Sequence, residues 1–516
     1  MMLLSSSEVV AARGEAVEIE SAERRGGDGN VRKKKGLLGL NGYALAAAVL
    51  ASTNSILLGY DIGVMSGALL FIEPQMHLSN FQKEMLVGSL NFASLIGSLA
   101  SGKTSDWIGR RYTIVLAAGT FLLGAVLMGF AQSYAWLMAG RVVAGIGVGY
   151  ALMIAPLYVA ELSPAMTRGF LTSLPEVFIT VGVLVGYLMN LAFARLPAWI
   201  NWRIMLGIAG VPAIGIALGV IIMPESPRWL VMKGRTAEAR RVLVRTSDSE
   251  AEAEIRLLEI TNAAEAEALK GKQAGVWKQL LLSPTRPVRR MVVAAVGINF
   301  FMQASGNDAV IYYSPQVFKE AGLGDPKERI MVTVVMGIAK TSFCLVSAMF
   351  LDNYGRRPLL MLGTSGMAAS SATLGLTTRI LRNSTRKPAW AMVVSIIAVC
   401  ADVSFFSLGL GPITWVYSSE IFPLRLRAQG TALAVSVNRA VSGTVSTTFL
   451  TISEAITFSG MFFIFAGIMA AATLFVYFFL PETKGISLED ICSLFERESD
   501  PKDGISSNAA TVASSY

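Results

Sequence analysis

Twelve apolar runs punctuate this chain, each close to the length an α-helix needs to cross a bilayer. They lie at roughly 42–70, 85–103, 112–131, 135–159, 170–193 and 203–223, then at 290–313, 330–351, 358–379, 389–416, 429–452 and 457–480. Hydrocarbon offers the backbone no hydrogen-bond partners, so runs of this kind must close their bonds internally as helices. Only 16% of the residues are charged, where a soluble domain carries about 25%. The sequence therefore predicts an all-α membrane protein with twelve transmembrane helices, six on either side of a polar middle.

The polar stretches divide the chain further. Residues 1–40 form a tail rich in Ser, Glu, Arg and Gly that contains Arg32-Lys33-Lys34-Lys35. It has no apolar core followed by a cleavage site, so it reads as a disordered cytoplasmic segment rather than a signal peptide. Residues 41–223 are the first six-helix half and 289–480 the second. Between them, 224–288 contains an alternation of Ala, Glu, Arg and Leu that predicts amphipathic linker helices on the cytoplasmic face. Residues 481–516 are a second cytoplasmic tail. The net charge of +8 sits mainly in the tail and middle loop, as expected of basic cytoplasmic segments facing anionic lipid. The short loops show no such bias, because Arg379, Arg382, Arg386 and Lys387 fall in an outer loop beside the sequon Asn383-Ser384-Thr385. No basic soluble domain exists to hold nucleic acid. Three dispersed cysteines and one histidine, His77, make a disulfide framework, a metal site or a Ser-His-Asp triad a poor reading. No phosphate-binding loop, catalytic arrangement or cofactor motif stands out.

The two halves repeat one another. Asp106-Trp107-Ile108-Gly109-Arg110-Arg111 follows the second run and Asp352-Asn353-Tyr354-Gly355-Arg356-Arg357 the eighth. Glu161 precedes Arg168 by seven residues after the fourth run, and Glu420 precedes Arg427 by seven after the tenth. Pro224-Glu225-Ser226-Pro227-Arg228 ends the first half and Pro481-Glu482-Thr483-Lys484 the second. Three pairs in register indicate a parallel duplication of a six-helix unit, a construction used by secondary transporters. Asp, Glu and Arg at neighbouring helix ends can pair, and the expectation is a cytoplasmic latch between the halves that opens during transport.

Together with Gly140-Arg141, Gln303-Ala304-Ser305-Gly306, Gly411-Pro412-Ile413-Thr414-Trp415 and the PETKG stretch at 481–485, these motifs resemble the sugar porter family of the major facilitator superfamily over about residues 40–490. Gly59-Tyr60-Asp61-Ile62-Gly63, Pro175-Glu176-Val177-Phe178 and Trp415-Val416-Tyr417-Ser418-Ser419-Glu420 are most similar to its plant polyol and monosaccharide members. The resemblance implies the major facilitator fold, no enzymatic activity, and proton-coupled symport of a small, neutral, polyhydroxylated solute by alternating access. It implies no cofactor beyond the coupling proton, lipid surroundings, a pathway complete within a monomer, and the plasma membrane, with the vacuolar membrane as the alternative. A facilitative uniporter and a non-transporting sugar sensor are the competing readings.

Individual residues carry the mechanism. Asp61 is an acid inside the first run, and an intramembrane carboxylate marks function by default. Arg141, in the fourth run, is its expected partner, and protonating Asp61 would release it. By resemblance, Glu176, Gln303, Asp308, Tyr312, Tyr313, Trp415 and Asn438 line the solute site, where amides, carboxylates and an aromatic face suit a hydroxylated solute. Several positions depart from the family pattern. Met302 stands where a second glutamine is usual, Asn307 where Ile is usual, and Lys340 where Asn is usual. The loss of one amide at Met302 predicts a missing solute contact.

Overall fold

The computed structural model describes residues 41–164, 167–269, 276–384, 387–423, 425–484, 486 and 494–495. The expected N-terminal tail, Thr385 and Arg386 of the outer loop, and most of the C-terminal tail lie outside them. The α-helices among the described residues are numbered in chain order. The first half comprises α1 (Gly42–Ser52), α2 (Ser55–Met76), α3 (Asn80–Ile108), α4 (Arg110–Gly129), α5 (Tyr134–Leu162), α6 (Arg168–Phe193), α7 (Ala198–Gly207) and α8 (Gly210–Ile221). The linker carries α9 (Pro227–Met232), α10 (Thr236–Thr246) and α11 (Glu250–Leu269). The second half comprises α12 (Arg286–Ala304), α13 (Asn307–Tyr312), α14 (Ser314–Glu320), α15 (Pro326–Tyr354), α16 (Arg356–Asn383), α17 (Ala389–Leu408), α18 (Leu410–Glu420) and α19 (Arg427–Phe479).

Among the described residues, ten helical stretches are long and apolar enough to cross a membrane. Two features bring the number of passes to twelve. The first is α19, whose 53 residues far exceed the ~20 of one pass. Thr457, at φ +75°, divides it into two antiparallel arms. The second is the seventh pass, which is broken. Gly306 adopts φ +78°, and a Cβ there would run into the Phe465 ring, so the chain turns out of α12 into α13 at a residue only glycine tolerates. Sequence boundaries ran this pass to 313 without a break, but hydropathy does not register a left-handed residue.

Helix starts follow local chemistry. Ser79 and Gln82 form a reciprocal capping box at α3, Asn41 caps α1 and Asp325 caps α15. His77 closes α2 as a left-handed C-cap, a structural use. The outer helices expose Val211, Leu218 and Ile222, as they must in lipid, whereas α2 and α5 are buried nearly throughout. The halves meet where α3 and α5 pack on α19, α6 packs on α15 and α18, and α2 packs on α13. The linker is docked. Arg256 of α11 donates to the carbonyls of Leu162 and Ser163 at 2.9 and 3.2 Å, and Asn41 donates to Ser247 O at 2.8 Å.

Close approach of α2 and α6 rests on glycine. Gly59, Gly63 and Gly67 are spaced four apart on α2, and Gly182 and Gly186 on α6. A Cβ at Gly59 would meet Ile179 O, and one at Gly182 would meet Ile56 O and Tyr60 N. This is small-residue packing of the kind that lets helices associate in lipid.

Candidate functional site

The first charged pair lies inside the first half. Arg141 Nη1 donates to both oxygens of Asp61, at 2.6 and 2.7 Å. Its Nε and Nη2 reach the carbonyls of Leu86 and Val87 on α3, at 3.1 and 3.3 Å. Both residues are buried, 0% and 2% exposed. In so dry a setting the pair rests on one guanidinium nitrogen that bridges both carboxylate oxygens. Taking up a proton there would cancel the pair and leave Arg141 held by backbone carbonyls of α3 alone, which is the kind of two-state contact that can move a helix.

A small central cavity lies between the halves. Glu176, Gln303, Asn307, Asp308, Lys340, Trp415 and Arg439 supply its polar wall, with Met302, Phe406 and Ile179 among its apolar members. Trp415 Nε1 donates to Glu176 Oε2 at 2.8 Å, across the interface between halves. Gln303 Nε2 donates to Asn438 Oδ1 at 3.2 Å. Ser442 donates to Asp308 Oδ2 at 2.9 Å, and Arg439 lies 3.7 Å from the same oxygen. Lys340 lies over the Phe406 ring, 4.4 Å from its centre. The side-chain oxygens of Gln303 and Asn307 are buried without a hydrogen-bond partner among the described residues. Buried polar atoms are almost always satisfied, so these two are poised for donors that a hydroxylated solute would supply. The remaining space admits water-sized molecules. A hexitol requires the halves to part.

Of the seven expected solute contacts, Glu176, Gln303, Asp308 and Trp415 border the cavity, whereas Tyr312, Tyr313 and Asn438 stand behind the wall. Tyr313 donates to Ser446 O at 3.0 Å and stacks on Phe449. Asn438 is engaged by Gln303, by Arg439 and by Met302, whose sulfur accepts from Asn438 Nδ2 at 3.3 Å. Met302 thus borders the cavity and holds an amide in place rather than simply omitting a contact. The Tyr312 hydroxyl is buried without a hydrogen-bond partner among the described residues. Arg439 was not anticipated. It also donates to Asn91 Oδ1 of the opposite half at 3.3 Å.

The cytoplasmic charge cluster is built twice. Arg110 holds Glu161 through Nε and Nη2 at 3.1 and 3.2 Å and Asp106 through Nη1 at 3.1 Å. In the second half, Arg356 reaches Glu420 at 3.3 Å and Asp352 at 3.4 Å. Glu225 accepts from the backbone amides of Arg110 and Arg111, at 2.8 and 3.3 Å. Glu482 accepts from those of Arg356 and Arg357, both at 2.9 Å. The glycine before each arginine pair has positive φ, +98° at Gly109 and +89° at Gly355, which turns those amides toward the carboxylate. Burial pushes the Glu225 carboxyl up, and the amides of Ser226 and Arg110 oppose that shift. Ser226 and Thr483 donate to Glu161 and Glu420 at 2.5 and 3.2 Å, and Arg228 donates to Glu161 O at 3.1 Å.

These described ion pairs close within each half, which revises the expected latch. Bonds that cross between halves on this side include Asp106 accepting from Gln429 at 2.7 Å, Asp352 accepting from the Phe170 amide at 2.9 Å, and Arg168 donating to Ile486 O at 3.4 Å. Arg427 donates to Phe422 O in its own half at 3.0 Å. Each half therefore has its own charge-clamped end, and the bonds between the two ends must break for the cytoplasmic side to part. Replacing Arg110 with Leu would strip buried Glu161 of the guanidinium that holds both its oxygens, at a cost of about 3–5 kcal/mol. The expected result is a lowered thermal midpoint and lost uptake, read on purified protein and in cells.

The family model described as "Sugar (and other) transporter" matches residues 47–495. The chain belongs to that family. Among curated relatives of this sugar transporter is "Polyol transporter 5" of Arabidopsis thaliana, 54% identical over 466 residues covering 88% of this chain and 86% of that protein. Among solved structures, the proton:xylose symporter XylE bound to 6-bromo-6-deoxy-D-glucose is 28% identical, with a TM-score of 0.79 over 88% of this chain and 99% of that one. The inward-open form of XylE from E. coli scores 0.66 at the same coverage of this chain. The lower score against the inward-open form accords with the intact bonds across the cytoplasmic side. The protein is a multi-pass membrane transporter of the major facilitator fold.

Proposed function

We propose that this sugar transporter carries a linear polyol of the sorbitol or mannitol type, or a monosaccharide, together with one proton by alternating access. The observation that carries the reading is the pairing of two elements in one interior: a closed Asp61–Arg141 ion pair, and a cavity whose Gln303 and Asn307 oxygens lack donors. Glu176 and Asp308 add acceptors for adjacent hydroxyls, while Lys340 and Arg439 balance their charge and keep the cavity suited to a neutral solute. The Trp415 indole offers an aromatic face for the C–H side. The polyol names among the relatives support the solute class, and XylE supports proton coupling. Asp61 and Arg141 form the coupling pair in this reading, and the two cytoplasmic clusters set the inner gate. The proton is the only coupling species and no organic cofactor takes part. The plasma membrane is the proposed site of action, and one chain, surrounded by lipid, contains the whole pathway.

Uptake of labelled sorbitol, mannitol, xylose and glucose by cells lacking their own carriers tests the assignment. Saturable uptake of one of the polyols or sugars is expected, and no uptake of any of them contradicts it. Gln303→Leu removes a hydrogen-bonding amide at the cavity wall, worth about 1–2 kcal/mol. The half-saturating concentration should therefore rise roughly 5- to 30-fold with little change in the amount of protein at the membrane.

A further inference from the structure

A second cavity, of about 330 Å3, opens on the cytoplasmic side between the α3–α4 corner, the start of α1 and linker helices α9 and α10. Four arginines face it: Arg111, Arg235, Arg241 and Arg245. Its carboxylates are Glu225 and Glu238. Both are already engaged, Glu225 by the amides of α4 and Glu238 by Arg235 at 2.7 Å. Arg240, the neighbour of Arg241 on α10, is paired with Glu254. By contrast, Arg241 and Arg245 are one turn apart on the same helix and meet no carboxylate within ion-pairing distance among the described residues. The Arg245 guanidinium lies over Tyr43, 5.9 Å from the ring centre, and Arg111 over Tyr112 at 4.9 Å. Lys233 lies over Trp229, another wall residue, at 5.5 Å. Exposed Trp107 and Tyr112 at the corner place the mouth at the level of lipid headgroups, where such rings collect.

We propose that this cavity is a binding site for a phosphate-bearing anion. Convergent guanidinium forks suit phosphate oxygens better than point charges do. A fold that pairs Arg235 and Arg240 yet leaves Arg241 and Arg245 facing a concave space has the charge and shape such a group needs. The group is presented either by an anionic phospholipid of the inner leaflet or by a soluble phosphate ester. Because Glu225 forms part of the wall and also caps α4, occupancy of the cavity bears on the inner gate.

The full chain, purified in phosphatidylcholine nanodiscs, would be titrated with phosphatidylinositol 4-phosphate and separately with inositol trisphosphate, reading the thermal midpoint at each concentration. The Arg241→Gln/Arg245→Gln double variant is compared with Arg289→Gln/Arg290→Gln, which removes the same charge from exposed positions at the start of α12. The expected result is a saturable rise for the unaltered chain and the α12 variant, with binding weakened roughly tenfold or more in the α10 variant. A response to the lipid alone identifies a headgroup, and a response to the soluble phosphate as well identifies a general phosphate site. Equal behaviour of all three proteins, or equal losses in both variants, would overturn the proposal by reducing the arginines to ordinary surface charge.

Discussion

Asp61→Asn is expected to abolish uphill accumulation while leaving downhill movement of the solute intact. One proton entering with the solute yields about 2.3 kcal/mol per 100 mV of membrane potential. At about 1.4 kcal/mol per decade, that supports roughly 50-fold accumulation before any pH gradient is added. Asn is close in shape and can still accept from Arg141, but it takes up no proton. Accumulation should therefore fall from tens of fold to equality across the membrane, and uptake should lose its dependence on external acidity. Exchange of labelled for unlabelled solute should persist. The measurement is the steady-state ratio of labelled sorbitol inside and outside energised cells, beside an exchange assay on the same cells. Loss of exchange together with accumulation, at normal protein levels, would instead indicate that Asp61 and Arg141 are needed for the transport cycle itself.

The second large effect concerns folding. Gly182→Val should prevent stable assembly of the first half. A Cβ at that position meets Ile56 O and Tyr60 N, and Gly59 C lies just beyond. Those atoms are backbone, so no rotamer change relieves the contact. Overpacking a close helix pair costs about 1–3 kcal/mol or more, and here the α2–α6 contact also holds the helix that carries Asp61. The detergent-extracted variant should show little monodisperse protein on size-exclusion chromatography. Gly215→Ala on α8, where a Cβ meets nothing within 4 Å, should behave as the unaltered chain. Equal yields for both variants would show that α2 and α6 have slack to separate.

Much of the architecture was legible because lipid leaves few options. Apolar runs had to be helices, and the repeated Gly109-Arg110-Arg111 and Gly355-Arg356-Arg357 corners exposed the duplication. Asp61 stood out because a carboxylate in an apolar run is costly to bury unless it is paired or can take up a proton. Arg439 obeys the same rule and could have been found by it, since it is the only charged residue in the 429–452 run. Its neighbour Asn438, expected as a solute contact, is bonded to the cavity-lining Gln303 and Met302. Tyr312 and Tyr313 were placed by resemblance, which conveys position along the helix but not the break at Gly306 that sets where α13 points. The partition of the gate into two charge-clamped ends was also hidden. Sequence shows that Glu161 and Arg110 are at helix ends, but not that they share a half-internal contact while Asp106 reaches across to Gln429.

Symport is tested most directly by watching the proton itself. Proteoliposomes containing the purified chain and a weakly buffered exterior would receive sorbitol, or whichever polyol or sugar the uptake panel selects, while an external pH dye is recorded. The account predicts transient alkalinisation that follows solute entry, vanishes with an uncoupler, and is absent in Asp61→Asn. Solute entry at the same rate with no change in external pH would contradict it and leave a carrier in which the Asp61–Arg141 pair is structural.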